Sequence, residues 1–135
     1  MKKHHFIIIP VIIAVITSII TGIVYNSYNI YKIETIDVDY NITEGGTIGI
    51  NADTDAIHFG RVSPGFSAER EFTVSSDKDA VIITELKGID YVSLNPSYAQ
   101  IKAGEKISFK VYLNIPENAL VGYHKGEIKI ITRRP

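Results

Sequence analysis

The hydrophobic pattern divides the chain into a long apolar run and a longer alternating region. From Phe6 to Tyr25 (FIIIPVIIAVITSIITGIVY) there is no charged residue and no Asn or Gln. At about 1.5 Å per residue, a helix of that length spans roughly 30 Å, the hydrocarbon thickness of a bilayer. Beyond Ile33 the period falls to two: Ile36, Val38, Tyr40 and Ile42 alternate with Asp37, Asp39 and Asn41, as on a strand with one dry face and one wet face. A helix would scatter those charges around its circumference.

Further strands obey the same rule. Glu44-Gly45-Gly46 reads as a turn and Thr47 to Ile50 as a short strand; Ile57 and Phe59 form another before Gly60, and Ser63-Pro64-Gly65 turns the chain again. Phe72 and Val74, with Ala68 behind them, alternate with Glu69, Glu71 and Thr73. The turn Asp77-Lys78-Asp79 leads into a strand from Val81 to Leu86. The most regular segment is Ile107 to Ile115, predicted as a central strand packed on one side, opened by Ala103-Gly104-Glu105 and closed by Pro116. A last strand covers Tyr123 to Thr132, with Ile128 and Ile130 inward. About seven short strands with no helical period predict an all-β, antiparallel β-sandwich behind a single N-terminal helix.

Four segments result: 1–5 as a cytoplasmic leader, 6–25 as a transmembrane signal-anchor, 26–33 as an interfacial linker, and 34–135 as the sandwich. Lys2 and Lys3 precede the apolar run, and Glu34, Asp37 and Asp39 come after it, so the positive-inside rule keeps the N-terminus in the cytoplasm and the sandwich outside. A cleavable signal peptide shares the basic start. The run is longer than the usual apolar core of such peptides, however, and Ile20 and Gly22 make a poor cleavage pair. A pilin-type leader lacks both its small cleavage residue and its glutamate here. Ala14, Ser18 and Gly22 recur every four residues and could admit a second helix. Tyr25, Tyr28 and Tyr31 are spaced as an aromatic belt at the outer interface.

Composition removes several classes of function. The formal net charge of −1 over 135 residues offers no concentrated basic surface for nucleic acid. Absence of cysteine excludes disulfides, zinc thiolates and cysteine nucleophiles, and without Trp as well an antibody-type core is excluded. His58 and His124 stand singly on predicted strands, and His4 and His5 precede the anchor; none has nucleophile or metal spacing, so each reads as a surface or edge residue. Asn51-x-Asp53-x-Asp55 begins like a calcium loop but has Ala56 where glycine is needed and Val62 where the closing glutamate belongs. The pairs Asp37/Asp39 and Asp77/Asp79 read as a wet strand face and an acidic turn. Asn41-Ile42-Thr43 is a glycosylation sequon set inside a strand pattern. Neither a catalytic set nor a cofactor or metal site is predicted. Tyr91, Tyr98 and Tyr112 are candidate interface anchors, with ordinary half-buried sheet packing as the competing reading.

The phrase Ile57-x-Phe59-Gly60-x-Val62-x-Pro64-Gly65, then Ile101-x-Ala103-Gly104-Glu105 leading to Phe109-x-Val111-x-Leu113-x-Ile115-Pro116, then Gly122-x-x-x-Gly126-x-Ile128-x-Ile130, resembles hydin-type and related Ig-like modules of microbial envelope proteins. That resemblance covers residues 57–132 and rests on turn and core positions. It implies a seven-stranded, non-catalytic module used for adhesion, spacing or assembly, although such modules are not usually found singly on their own anchor. A short basic N-terminus, one helix and one outer sandwich is also similar in architecture to archaellum stator proteins. The expected partners are the lipid bilayer and an envelope protein or a second copy of the chain. Two alternatives stay open: an accessory subunit of a membrane enzyme or transporter, and an extracytoplasmic ligand- or calcium-binding module.

Overall fold

The computed structural model describes residues 5–45, 51–53 and 56–135. One apolar helix precedes a mostly β domain in which two sheets face each other across a core. Helix α1 (His5–Asn29) carries no charged residue between Phe6 and Asn29; its span Ile7–Asn29 is not buried by the other described residues and is long and apolar enough to cross a membrane. It continues four residues past the expected end at Tyr25 and passes directly into β1 (Ile30–Ile42). Residues 26–33, read from the sequence as a linker, are therefore the last turn of the helix and the first residues of a strand.

The strands are β1, β2 (Asn51–Asp53), β3 (Ala56–Val62), β4 (Ser67–Ser75), β5 (Ala80–Lys87), β6 (Val92–Asn95), β7 (Tyr98–Ile101), β8 (Lys106–Asn114) and β9 (Gly122–Arg133). The larger sheet has the order β2-β3-β1-β9-β5-β7 and the smaller β4-β8-β6, so nine strands stand among the described residues where the pattern predicts about seven. The short β2, β6 and β7 are the additions, while the predicted strand Thr47–Ile50 lies outside the described residues. As the alternation indicates, β8 is the central strand of the small sheet.

One pairing departs from an antiparallel sandwich: β1 and β3 run parallel, with Val38 opposite Ile57 and Ile42 opposite Val62. Residues 43–55 lie between them, enough chain for the return that a parallel pair requires. The register slips between Asp39 and Asn41, and Gly60 on the facing strand takes φ +73°, so this glycine forms a bulge and β3 runs on to Val62 instead of stopping at Gly60.

Even-numbered positions of β1 and β9 point inward beside β5 and face the inner side of β8. Val38, Tyr40, Ile42, Ile82, Phe109, Leu113 and Ile128 are fully inaccessible; each such side chain contributes roughly 1.5–3 kcal/mol of burial. Phe72 stacks on Phe109 with ring centroids 5.4 Å apart. At Gly126 the backbone of β9 lies so close to the end of β5 that a Cβ would stand 2.5 Å from the Lys87 carbonyl oxygen and 2.6 Å from Ile89 Cβ. Only glycine fits there.

One edge of the small sheet, β4, bears a cation on its inward row, since Ala68, Arg70, Phe72 and Val74 share that face. Another chain adding to this edge would have to bury Arg70, which guards the edge against pairing with other strands.

Candidate functional site

The long β1–β9 ribbon has two different ends. It begins at the end of α1, where Ile30 pairs with Arg133, and closes where Ile42 pairs with Gly122, roughly 40 Å further on at about 3.3 Å per residue.

At the helix end residues 133–135 clasp α1. Arg134 N–H donates to the Asn29 carbonyl at 2.7 Å, and its guanidinium lies 4.1 Å from the centroid of the Tyr28 ring and 5.9 Å from that of Tyr31. Lys78 Nζ also lies over the Tyr31 ring, 5.4 Å from its centroid. Cations over tyrosine faces gain from the ring quadrupole. Two turns are knitted together here: Asp79 accepts from Ala103 N–H at 2.9 Å, Gly104 N–H donates to the Ser76 carbonyl at 2.8 Å, and Glu105 accepts from Lys102 N–H at 2.9 Å. Asp79 is thus engaged in holding a loop. On α1, Ser18 donates to the Ala14 carbonyl at 2.8 Å and nothing lies within 4 Å of a Cβ built at Gly22, so the small-residue face stays open along the helix.

The alternation of β1 changes phase in this region. Tyr31 and Ile33 are apolar at odd positions, whereas from Ile36 onward the apolar residues are even. The physical cause is the length of the small sheet, whose last pair is Ser75 opposite Lys106. Beyond it the inner face of β1 is open and carries the exposed ion pair Lys32–Glu34 at 2.6 Å, while Thr132 and Ile130 opposite them on β9 stay buried. The outer face carries a straight row across four strands instead, Ile33 opposite Ile131, Ile131 opposite Ile83, and Ile83 opposite Tyr98. Ile33 is 50% and Tyr98 53% exposed.

Further from the helix the same outer face is polar. Asp39 Oδ2 lies 2.8 Å from His58 Nδ1 and accepts from Tyr123 O–H at 3.2 Å, while Lys125 Nζ is 3.1 Å from Asp37. The hydrogen bond that Lys125 donates to the Asp37 carboxylate, reinforced by the charge of Asp37, raises the Lys125 pKa. An Asp–His pair of this kind can orient an imidazole and move a proton, but it lies on an open sheet face. An adjacent dish of about 410 Å³ is bounded by Lys87, Lys125, Asp37 and Glu127. Among the described residues no group of three His, Cys, Asp or Glu is placed to hold a metal ion; Asp55 of the calcium-like pattern lies outside them, and Asn51–Asp53 is strand.

His124, which the sequence reads as a surface or edge residue, points inward instead. Its ring stacks on that of Tyr40 at 4.8 Å and 13°, with Tyr91 6.3 Å away. Tyr40 donates to the Asp90 carbonyl at 2.6 Å. Burial, with the nearby Asp90 and Tyr91 adding to it, pushes its hydroxyl up to about 12.

At the far end, the chain between β8 and β9 is pinned at its base and bare at its tip. Gly65 N–H and Ala119 N–H both donate to the Pro116 carbonyl, at 3.3 and 3.1 Å, and Ile115 N–H to Phe66 at 2.8 Å. Leu120 and Val121 then project at 85% and 57% exposure. Tyr91 stands at the same end with φ +60°, an uncommon conformation for a bulky residue, while its carbonyl accepts from Asn114 N–H at 2.9 Å.

The three candidate tyrosines occupy three places: Tyr91 at the far end, Tyr98 on the outer face near the helix, and Tyr112 on the outer face of the small sheet opposite Glu69 and Ser93. Asn41 sits mid-sheet between Arg61 and Tyr123. Sequence reasoning passed over Leu120 and Val121, whose only signal is two adjacent large apolar residues after the turn Pro116–Ala119. Compared with family models, curated proteins and solved structures, the chain matches none.

Proposed function

We propose that this chain is a membrane-anchored, non-catalytic module that presents the tip of its sandwich to another protein of the cell envelope. In this reading α1 crosses the bilayer with the N-terminus in the cytoplasm. The β domain is an Ig-like sandwich outside, in the manner of the hydin-type modules and the archaellum stators that it resembles in pattern and architecture. The observation that carries the reading is the tip itself: Leu120, 85% exposed, sits on a hydrogen-bonded base at the end of the ribbon opposite the anchor. Large apolar side chains held out on a fixed loop favour contact with a partner surface.

A photoreactive residue at position 120 tests this on intact cells. Discrete adducts from position 120, absent when the same probe replaces Tyr112, are expected, together with loss of the complex in Leu120→Asp. Adducts arising only from a probe at Ser18 would support the second reading, a subunit recruited through its helix. The open face of Ala14, Ser18 and Gly22 favours that alternative.

A further inference from the structure

Between the end of α1 and the outer face of the large sheet lies a groove of about 260 Å³. Tyr25 and Asn29 of the helix form one wall, Val81, Ile83 and Tyr98 the other, and Arg133 and Arg134 the rim. We propose that this groove binds the headgroup of an anionic phospholipid from the membrane that α1 spans, and that the sandwich thereby leans on the bilayer through its outer face. The inference rests on the anchor reading of α1 given above.

Three features select this occupant. The groove opens beside the last turn of an apolar helix, so its depth is that of the headgroups once the helix is in lipid. Its chemistry is divided as a phospholipid is: two guanidiniums stand for the phosphate, and Val81 and Ile83 for the glycerol and first acyl carbons. Arg133 and Arg134 are the charged side chains among the residues that line it, and no acidic one stands with them, so the groove is positive. Finally, the row Ile33, Ile131, Ile83 and Tyr98 continues the groove's apolar wall across the sheet as far as β1, on a face where the rest of the strand is polar. Arg134 is pre-positioned by its backbone bond to Asn29 and by the Tyr28 ring, so little side-chain freedom remains to be lost on binding.

Because the chain has no Trp, Tyr98→Trp supplies a single fluorescent reporter in the groove, and Tyr112→Trp one on the opposite side of the sandwich. Each full-length variant is reconstituted into lipid nanodiscs of phosphatidylcholine alone or with phosphatidylglycerol, one lipid at a time carrying bromine on its upper acyl carbons. Brominated phosphatidylglycerol should quench position 98 more strongly than brominated phosphatidylcholine at equal fraction, with enrichment of about fivefold per arginine that meets phosphate. The preference should fall in Arg133→Gln/Arg134→Gln, return in the double lysine variant, and be absent at position 112. Free glycerol phosphate added to phosphatidylcholine discs should leave position 98 unchanged, which separates a lipid from a soluble phosphate. Incorporation with equal quenching by both lipids would overturn the lipid site and leave the anchor standing. Failure to enter either disc would overturn the anchor and the lipid site together.

Discussion

Residues 36–42 and residues 30–35 belong to one strand, pair with one partner, and obey opposite rules. In the upper segment the apolar residues Ile36, Val38, Tyr40 and Ile42 face β8, and Asp37, Asp39 and Asn41 face outward to cations, a histidine and a tyrosine. In the lower segment Lys32 and Glu34 face inward and Ile33 outward. The difference teaches that strand alternation reports what covers each face and carries no fixed sense of inside. Above Ser75 the small sheet covers the inner face. Below it the inner face of β1 is wet, although Ile130 and Thr132 beside it on β9 are buried, and the apolar side of β1 turns toward the side on which the helix end lies.

The largest expected effect separates the two segments by stability. Ile128→Ala opens a cavity beneath the small sheet and should cost about 2–5 kcal/mol in urea unfolding. Ile33→Ala, on the outer face below it, should change stability by no more than about 0.5 kcal/mol. Equal costs would mean that the lower outer face is packed against protein.

Tyr40→Phe is next. It leaves the Asp90 carbonyl without its 2.6 Å bond and should cost about 1–3 kcal/mol at neutral pH. The hydroxyl is raised to about 12 by burial. The folded state therefore keeps a proton that the unfolded chain loses above its ordinary value near 10. Stability from this group is complete below pH 10 and declines by about 1.4 kcal/mol per pH unit up to pH 12. The gap between wild type and Tyr40→Phe should accordingly narrow over that interval, and a constant gap would show that the hydroxyl is not held in its neutral form.

A smaller change, of opposite sign, concerns the one polar residue of β5 on the inner face. Thr84 is buried and its Oγ1 finds no hydrogen-bond partner among the described residues. Thr84→Val should stabilise by about 1 kcal/mol, read as a rise in melting temperature; a fall would mean that the hydroxyl is satisfied.

Legibility in the sequence divides along the same line. The upper part of β1 and the whole of β8 announce themselves, since each has one covered face and a clean two-residue period. β6 and β7 do not, being four residues each and interrupted by Asn95-Pro96. The lower part of β1 reads as linker because its period, though present, is out of phase with that of residues 36–42. The role of His124 depends on Tyr40 opposite it in the ladder, a pairing that local sequence cannot express. The clasp of Arg134 on Tyr28 and Tyr31 likewise joins the two termini of the fold. The spacing of the tyrosines shows in the sequence, but the cation that lies over them does not.

Absence of cysteine makes the most direct measurement possible. Single cysteines at Leu120, Ile33 and Lys3 of the full chain are exposed to a membrane-impermeant maleimide on intact cells and again after lysis. An anchored sandwich outside the cell predicts rapid labelling at position 120 on intact cells, slow labelling at position 33, and labelling at position 3 only after lysis. Labelling at position 3 on intact cells, with position 120 protected until lysis, would contradict it.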